Sequence, residues 1–181
     1  MKSAGVQLEL QQCAVVDAGD LNRGIDRSGS KAAVNFETAA GLVDVIWRHF
    51  PSDHPRVIVD RHGGRTHYLD DLRIAWPDAE IRIVAESEGL SRYHLARNGS
   101  ELTISFLKQA EERHLPAALA SMTAKYVREL LMSRLNAYFI EALPELKPTA
   151  GYVEDGRRYL GEIEVVLRAR AIDRSILVRK L

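Results

Sequence analysis

The chain has 181 residues, 46% of them apolar, with Lys plus Arg and Asp plus Glu balanced at 25 each. Zero formal charge excludes a protein that grips nucleic acid chiefly through a large basic surface, although a local basic groove stays open. A single cysteine, Cys13, excludes an intrachain disulfide and a cysteine-built zinc site.

The length suits one domain spanning residues 1–181. "MKSAGVQLELQQ" lacks the apolar centre of a signal peptide, and no apolar run is long enough for a bilayer. The expectation is therefore a cytoplasmic globular protein with no membrane partner.

In chain order, Val6, Leu8 and Leu10 alternate with polar residues and predict a strand within 5–16. Residues 17–30, "DAGDLNRGIDRSGS", read as turn-rich. Phe36, Ala39, Val43, Ile46 and Phe50 recur at helical spacing and predict a helix over 31–50, stopped by "SDHP". "RVIVD" (56–60) reads as a buried strand ending in a carboxylate, Asp60. "RHGGR" is a turn, "THYLDDLRIAW" a short helix, and "EIRIVAE" (80–86) a further strand. Two alternating runs around Asn98-Gly99 predict a β-hairpin. A helix follows to about Leu143, then a loop, then a helix over 153–170. This order indicates an α/β fold.

Three features could carry chemistry. Asp60 ends a strand before Gly63-Gly64, and open α/β sheets hold their sites outside the carboxyl ends of strands. Read from spacing alone, Asp60 is a metal ligand or a turn-capping residue. His62 and His67 lack the spacing of a helical zinc pair and read as surface or capping residues. Glu111 and Glu112 open a helix that raises Ser121, Lys125 and Glu129 at i, i+4, i+8, beside a core face of Ala120, Ala124, Val127 and Leu131. Lys125 to Glu129 is the weaker orientation of a helical ion pair, so local helix stability explains it poorly.

The string "QAEERHLPAALASMTAK" resembles the signature of the type 2 ribonuclease H family, the ribonuclease HII-like enzymes. That signature runs roughly K-A-D, three variable residues, P, then A-A-S-I-x-A-K-V-x-R-D. Glu111 takes the place of its Asp; Ser121, Ala124, Lys125 and Arg128 fall in register, and Glu129 replaces the last Asp. "RVIVD" is similar to the family's strand ending in a catalytic carboxylate, and "TAGY", with Tyr152, to its Gly-Tyr segment.

The resemblance implies a ribonuclease H-like mixed sheet flanked by helices, with an inserted β-hairpin and a helical C-terminal part. It implies Asp60 and Glu111 as catalytic, metal-holding carboxylates for Mg²⁺ or Mn²⁺, with two ions in the family's site. Ser121, Lys125 and Tyr152 would contact nucleic acid, supported by Arg128 and Glu129. The substrate class implied is an RNA–DNA hybrid or a duplex with embedded ribonucleotides.

The family's first motif, Asp-Glu-Ala-Gly-Arg-Gly, has no counterpart: "VVDAGDLNRG" lacks the Glu and the Arg-Gly. The chain then corresponds to the C-terminal portion of a ribonuclease HII-like domain, or to a divergent homologue with an incomplete site. Two carboxylates in place of four predict little ribonuclease activity for this chain by itself. A sheet lacking its central strand predicts self-association or an N-terminal segment that completes it. The alternative is a catalytically inactive ribonuclease H-fold module binding nucleic acid or a protein partner. Two placements are further expected. Asp60 and Glu111 should lie close enough to share a cation. The Ala120 face should be buried, with Ser121, Lys125 and Glu129 bordering a groove.

Overall fold

The structure, a computed structural model, describes residues 5–180. Contacts along the chain group it into two compact units: residues up to Val15 with Gly24–Ser121, and Val16–Arg23 with the residues from Met122 onward. Among the described residues no helix is long and apolar enough to cross a membrane.

The first unit is an α/β layer pair. Helix α1 (Ala18–Ser28), which belongs to this unit from Gly24 on, leads into α2 (Lys31–His49), followed by β1 (Arg56–Asp60), α3 (Leu69–Ala75) and strands β2 (Glu80–Glu86), β3 (Leu90–Arg97) and β4 (Ser100–Leu107). The sheet order is β1-β4-β3-β2, with β1 parallel to β4 and the other pairs antiparallel, so the sheet is mixed. Ser30 caps α2 by accepting a hydrogen bond from the Ala33 N–H at 3.2 Å. Phe36, Val43 and Trp47 then recur on one helical face and bury against Val57, Tyr93, Leu95, Leu102, Ile104 and Phe106 of the sheet. Helix α3 adds Leu72, and its C-cap residue Trp76, to the same core. The hairpin closes at Asn98 and Gly99, whose φ values of 51° and 76° are those of the tight turn that follows strand twist.

The second unit is helical: the latter part of α4 (Leu115–Ala142) and α5 (Val153–Ala169) enclose Phe139, Leu146, Tyr159, Ile163, Val166 and Leu167. Buried Asn22 anchors the C-terminal tail. Its amide donates to the Ser175 and Val178 carbonyls at 2.7 and 2.8 Å, and its oxygen accepts from the Lys180 N–H at 2.7 Å.

Three expectations fail. Residues 5–16 form no strand, and Val6, Leu8, Val15 and Val16 stay exposed. Alternation marks a segment able to pair, but a strand exists only where a neighbour supplies the ladder. The turn-rich stretch is helix α1 instead: the Asp17 carboxylate accepts from the Asp20 N–H at 2.7 Å and caps it, and Gly29, at φ 72°, ends it. The Ala120 face of α4 is not a core face, since Ala120, Ala124 and Leu131 are exposed and Val127 is only half-buried. Its apolar residues run around the helix, with Met122, Tyr126 and Leu130 also exposed, so the spacing selected one stripe among several.

Candidate functional site

Strand β1 is fixed by hydrophobic pairing on one face, with Val57 buried and Val59 packed on the core. Alternation therefore sends Arg56, Ile58 and Asp60 to the other face. Asp60 stands opposite Leu107 at the ends of the parallel strands. Beyond Leu107 the chain turns through Gln109, at φ 56°, into a short 3-10 turn, Ala110–Glu112. The Ala110 N–H donates to the Asp60 carboxylate at 3.0 Å. Asp60 thus ties down the turn that carries Glu111, which is exposed, while Glu112 accepts from the Gln109 amide at 3.0 Å.

The loop after Asp60 is braced from the core. The His62 N–H donates to the Tyr68 hydroxyl at 3.1 Å, and the Tyr68 N–H donates to the Tyr93 hydroxyl at 2.9 Å. Tyr93 in turn donates to Glu86, and the buried Ser91 hydroxyl donates to the Thr66 carbonyl. The hydrogen bond from Tyr93 holds the Glu86 carboxyl below its usual range against the opposing effect of burial, helped by His67 at 2.9 Å. Burial, with Glu86 as acceptor, pushes the Tyr93 phenol well above its usual range.

His62 is not the surface or capping residue its spacing suggested. Its ring sits among Phe36, Tyr68 and Phe106 at centroid distances of 6.4, 6.1 and 6.2 Å, all edge-on. Among the described residues, His62 Nδ1 and the neighbouring Arg61 Nε are buried without hydrogen-bond partners, both just beyond Asp60. Burial depresses the His62 pKa, the Arg65 charge adds to this, and Asp60 and Asp71 oppose it. A histidine depressed in the folded state contributes stability above its unfolded pKa of about 6.5 and loses it as pH falls below that value through the lower folded one. Thermal melts should therefore show the midpoint falling as pH drops below about 6.5, a slope that His62→Gln flattens. Equal slopes in the two proteins would remove His62 as the cause.

The other sequence-indicated residues lie along α4 and the loop after it. In the second unit, Arg128 donates to the Ala150 carbonyl at 2.5 Å and pairs with Glu129 at 2.6 Å. Its guanidinium carbon lies 5.8 Å from the centre of the Tyr152 ring, which is 70% exposed. Arg128, Glu129 and Tyr152 are thus brought together. Lys125 and Glu129, expected to border a groove, are both exposed, and Lys125 makes no ion pair with Glu129. Ser121 is half-buried.

Among the described residues, no group of three or more His, Cys, Asp or Glu side chains is placed to hold a metal ion. One Asp60 oxygen is already occupied by the Ala110 N–H. In general, two carboxylates suit a single hard cation completed by water and substrate phosphates and do not suit a two-ion site. Compared with protein-family models, curated proteins and solved structures, the chain matches none, so the family resemblance rests on the residues quoted from the sequence.

Proposed function

We propose that this protein is a ribonuclease H-type fold for divalent-metal-assisted phosphodiester cleavage, acting on RNA–DNA hybrids or embedded ribonucleotides, with Asp60 and Glu111 forming half of the carboxylate set. The observation supporting this reading is the hydrogen bond from the Ala110 N–H to Asp60, which gathers the turn bearing Glu111 to the carboxyl end of β1. Open α/β sheets bind ligands at that end. A bound Mg²⁺ or Mn²⁺ would supply charge stabilisation at the phosphoryl oxygens. The chain's own contribution is to hold one acidic side chain on the strand and to tether the turn carrying the other. In the second unit, Tyr152 and Arg128 offer a ring and a guanidinium that suit a sugar-phosphate backbone.

A cation held by two carboxylates and water binds weakly, and in-line cleavage by the two-metal route needs a second ion. Residues 1–181 should therefore bind Mn²⁺ weakly, by electron paramagnetic resonance, and cleave a labelled RNA–DNA hybrid only near background. Binding should be lost in Asp60→Asn and in Glu111→Gln. Equal Mn²⁺ binding by wild type and both variants would sink the shared site. It would leave the second reading, a nucleic-acid- or protein-binding module without chemistry, to which the occupied Asp60 oxygen already lends support. Robust cleavage lost in Asp60→Asn would instead show that the site is complete.

A further inference from the structure

The face of the sheet turned away from α2 and α3 carries its side chains in ordered rows. Arg56 stands opposite Thr103, Thr103 opposite His94, and His94 opposite Arg82. One row further on, Ser105 stands opposite Arg92. These residues line a groove of about 330 Å³. Strands lie about 4.8 Å apart, so Arg56 and Arg82, three strands apart, span about 14 Å. Arg92 lies between them. Its Nε donates to the Ser105 hydroxyl at 3.0 Å, which fixes the guanidinium and leaves its terminal nitrogens for another acceptor. Among the described residues, the Arg56 and Arg82 side chains make no hydrogen bond or ion pair.

The carboxylates at the rims are already engaged. Glu101 is shared by His54 at 3.2 Å and His94 at 3.1 Å, and Asp60 accepts from Ala110. Arg82 and Arg92, on neighbouring strands, repel one another, and the carboxylates of this face, Glu80 and Glu101, stand one row away and do not reach between them. An anion would.

We propose that this open sheet face seats the phosphate backbone of one nucleic-acid strand. The guanidinium fork matches phosphate oxygens in pairs, and the Ser105, Thr103 and His94 side chains add hydrogen-bonding groups between the forks. A span of about 14 Å is more than a single small anion would use and is long enough for successive phosphates of one strand. No Phe, Tyr or Trp lines the groove, so there is no stacking platform, and the contacts are to backbone and not to bases. Arg56 and Asp60 share β1 and the same face, four residues or about 13 Å apart. The site stands without the metal; only the choice of nucleic acid over other polyanions rests on the phosphodiester reading proposed above.

The test is fluorescence anisotropy of a labelled single-stranded oligonucleotide with the full chain, in EDTA, over about 50 to 200 mM salt. Wild type should bind with a falling log–log salt dependence. Arg56→Ala/Arg82→Ala/Arg92→Ala should weaken binding about a hundredfold near 0.1 M salt and flatten the slope by about 2, near 0.7 for each phosphate that is no longer neutralised. Arg168→Ala, an exposed charge on α5, should change neither. Circular dichroism melts check folding, and if the triple variant fails to fold, Arg82→Glu on the exposed β2 surface carries the test with a reduced slope. Three results overturn the proposal: no binding by wild type, a wild-type slope in the arginine variants, or tighter binding of polyglutamate than of the oligonucleotide. Because EDTA removes metal, loss of the Asp60 and Glu111 reading leaves this result intact, and the reverse also holds.

Discussion

Replacing Phe106 with alanine is expected to destabilise the first unit by about 4 kcal/mol, within the range of roughly 3–5 for removing a buried aromatic ring. Phe106 is 1% exposed and sits where the sheet meets both helices. Its ring stacks on Tyr68 at 3.6 Å with planes 4° apart, and Phe36 and Tyr93 lie at 6.4 Å on other sides. Truncation removes the transfer free energy of the ring and leaves a cavity whose walls are themselves fixed. Tyr68 is held by two hydrogen bonds and Phe36 by helix α2, so little collapse is available.

The chain has two tryptophans, and Trp47 and Trp76 are both in this core, so their fluorescence reports on this unit alone. The urea midpoint should fall by about 2 M at a slope near 2 kcal/mol/M. Phe106→Leu, which keeps most of the volume, should cost less than about 1.5 kcal/mol. A loss under about 1 kcal/mol for the alanine variant would mean that the ring is not packed as described. The site would feel the same change, because Phe106 precedes Leu107, the residue paired with Asp60.

Asp44→Ala is the second large effect, expected at about 2–3 kcal/mol. Asp44 accepts from Arg97 at 2.5 Å and from the Trp76 indole N–H at 3.4 Å, and Arg48 approaches at 3.1 Å. Arg97 also lies 4.2 Å over the Trp47 ring. The Asp44 and Arg97 side chains are 27% and 20% exposed, so removing the acid strands a largely desolvated guanidinium and an indole N–H. The residual exposure places the expected cost below that of a fully buried pair.

A double-mutant cycle with Arg97→Ala should recover part of the loss, since deleting both partners leaves no buried charge. Full additivity would show that the pair contributes nothing. Burial works to raise the Asp44 pKa, but the hydrogen bonds from Arg97 and Trp76 and the charges of Arg97 and Arg48 bring it below its usual value. A depressed carboxyl contributes stability above its unfolded pKa of about 3.9 and loses it as pH falls through the lower folded value. The Asp44 contribution should thus vanish in acid well below the window in which His62 titrates.

Local chemistry by itself determined a good part of this protein. Helix α2, strand β1, the strands of the hairpin and the Asn98-Gly99 turn between them were legible because period, cap and turn residues act within a few positions. The carboxylate at the end of β1 was legible for the same reason: a run of β-branched residues ending in Asp60 marks the strand's end. Helix α1 was missed although its Asp17 cap was present, because Gly, Asn and Asp residues read equally well as turns.

What lies across the sheet was not legible. Residues 5–16 carry a strand pattern and form no strand, since a strand depends on a partner edge and not on alternation. The burial of His62 depended on Phe36, Tyr68 and Phe106 converging from three elements. Arg56, Arg82 and Arg92 look in sequence like scattered polar positions of three separate strands. Only the register β1-β4-β3-β2 sets them in adjacent rows on one open face, because strand order and register are properties of long-range hydrogen bonding that no local window contains.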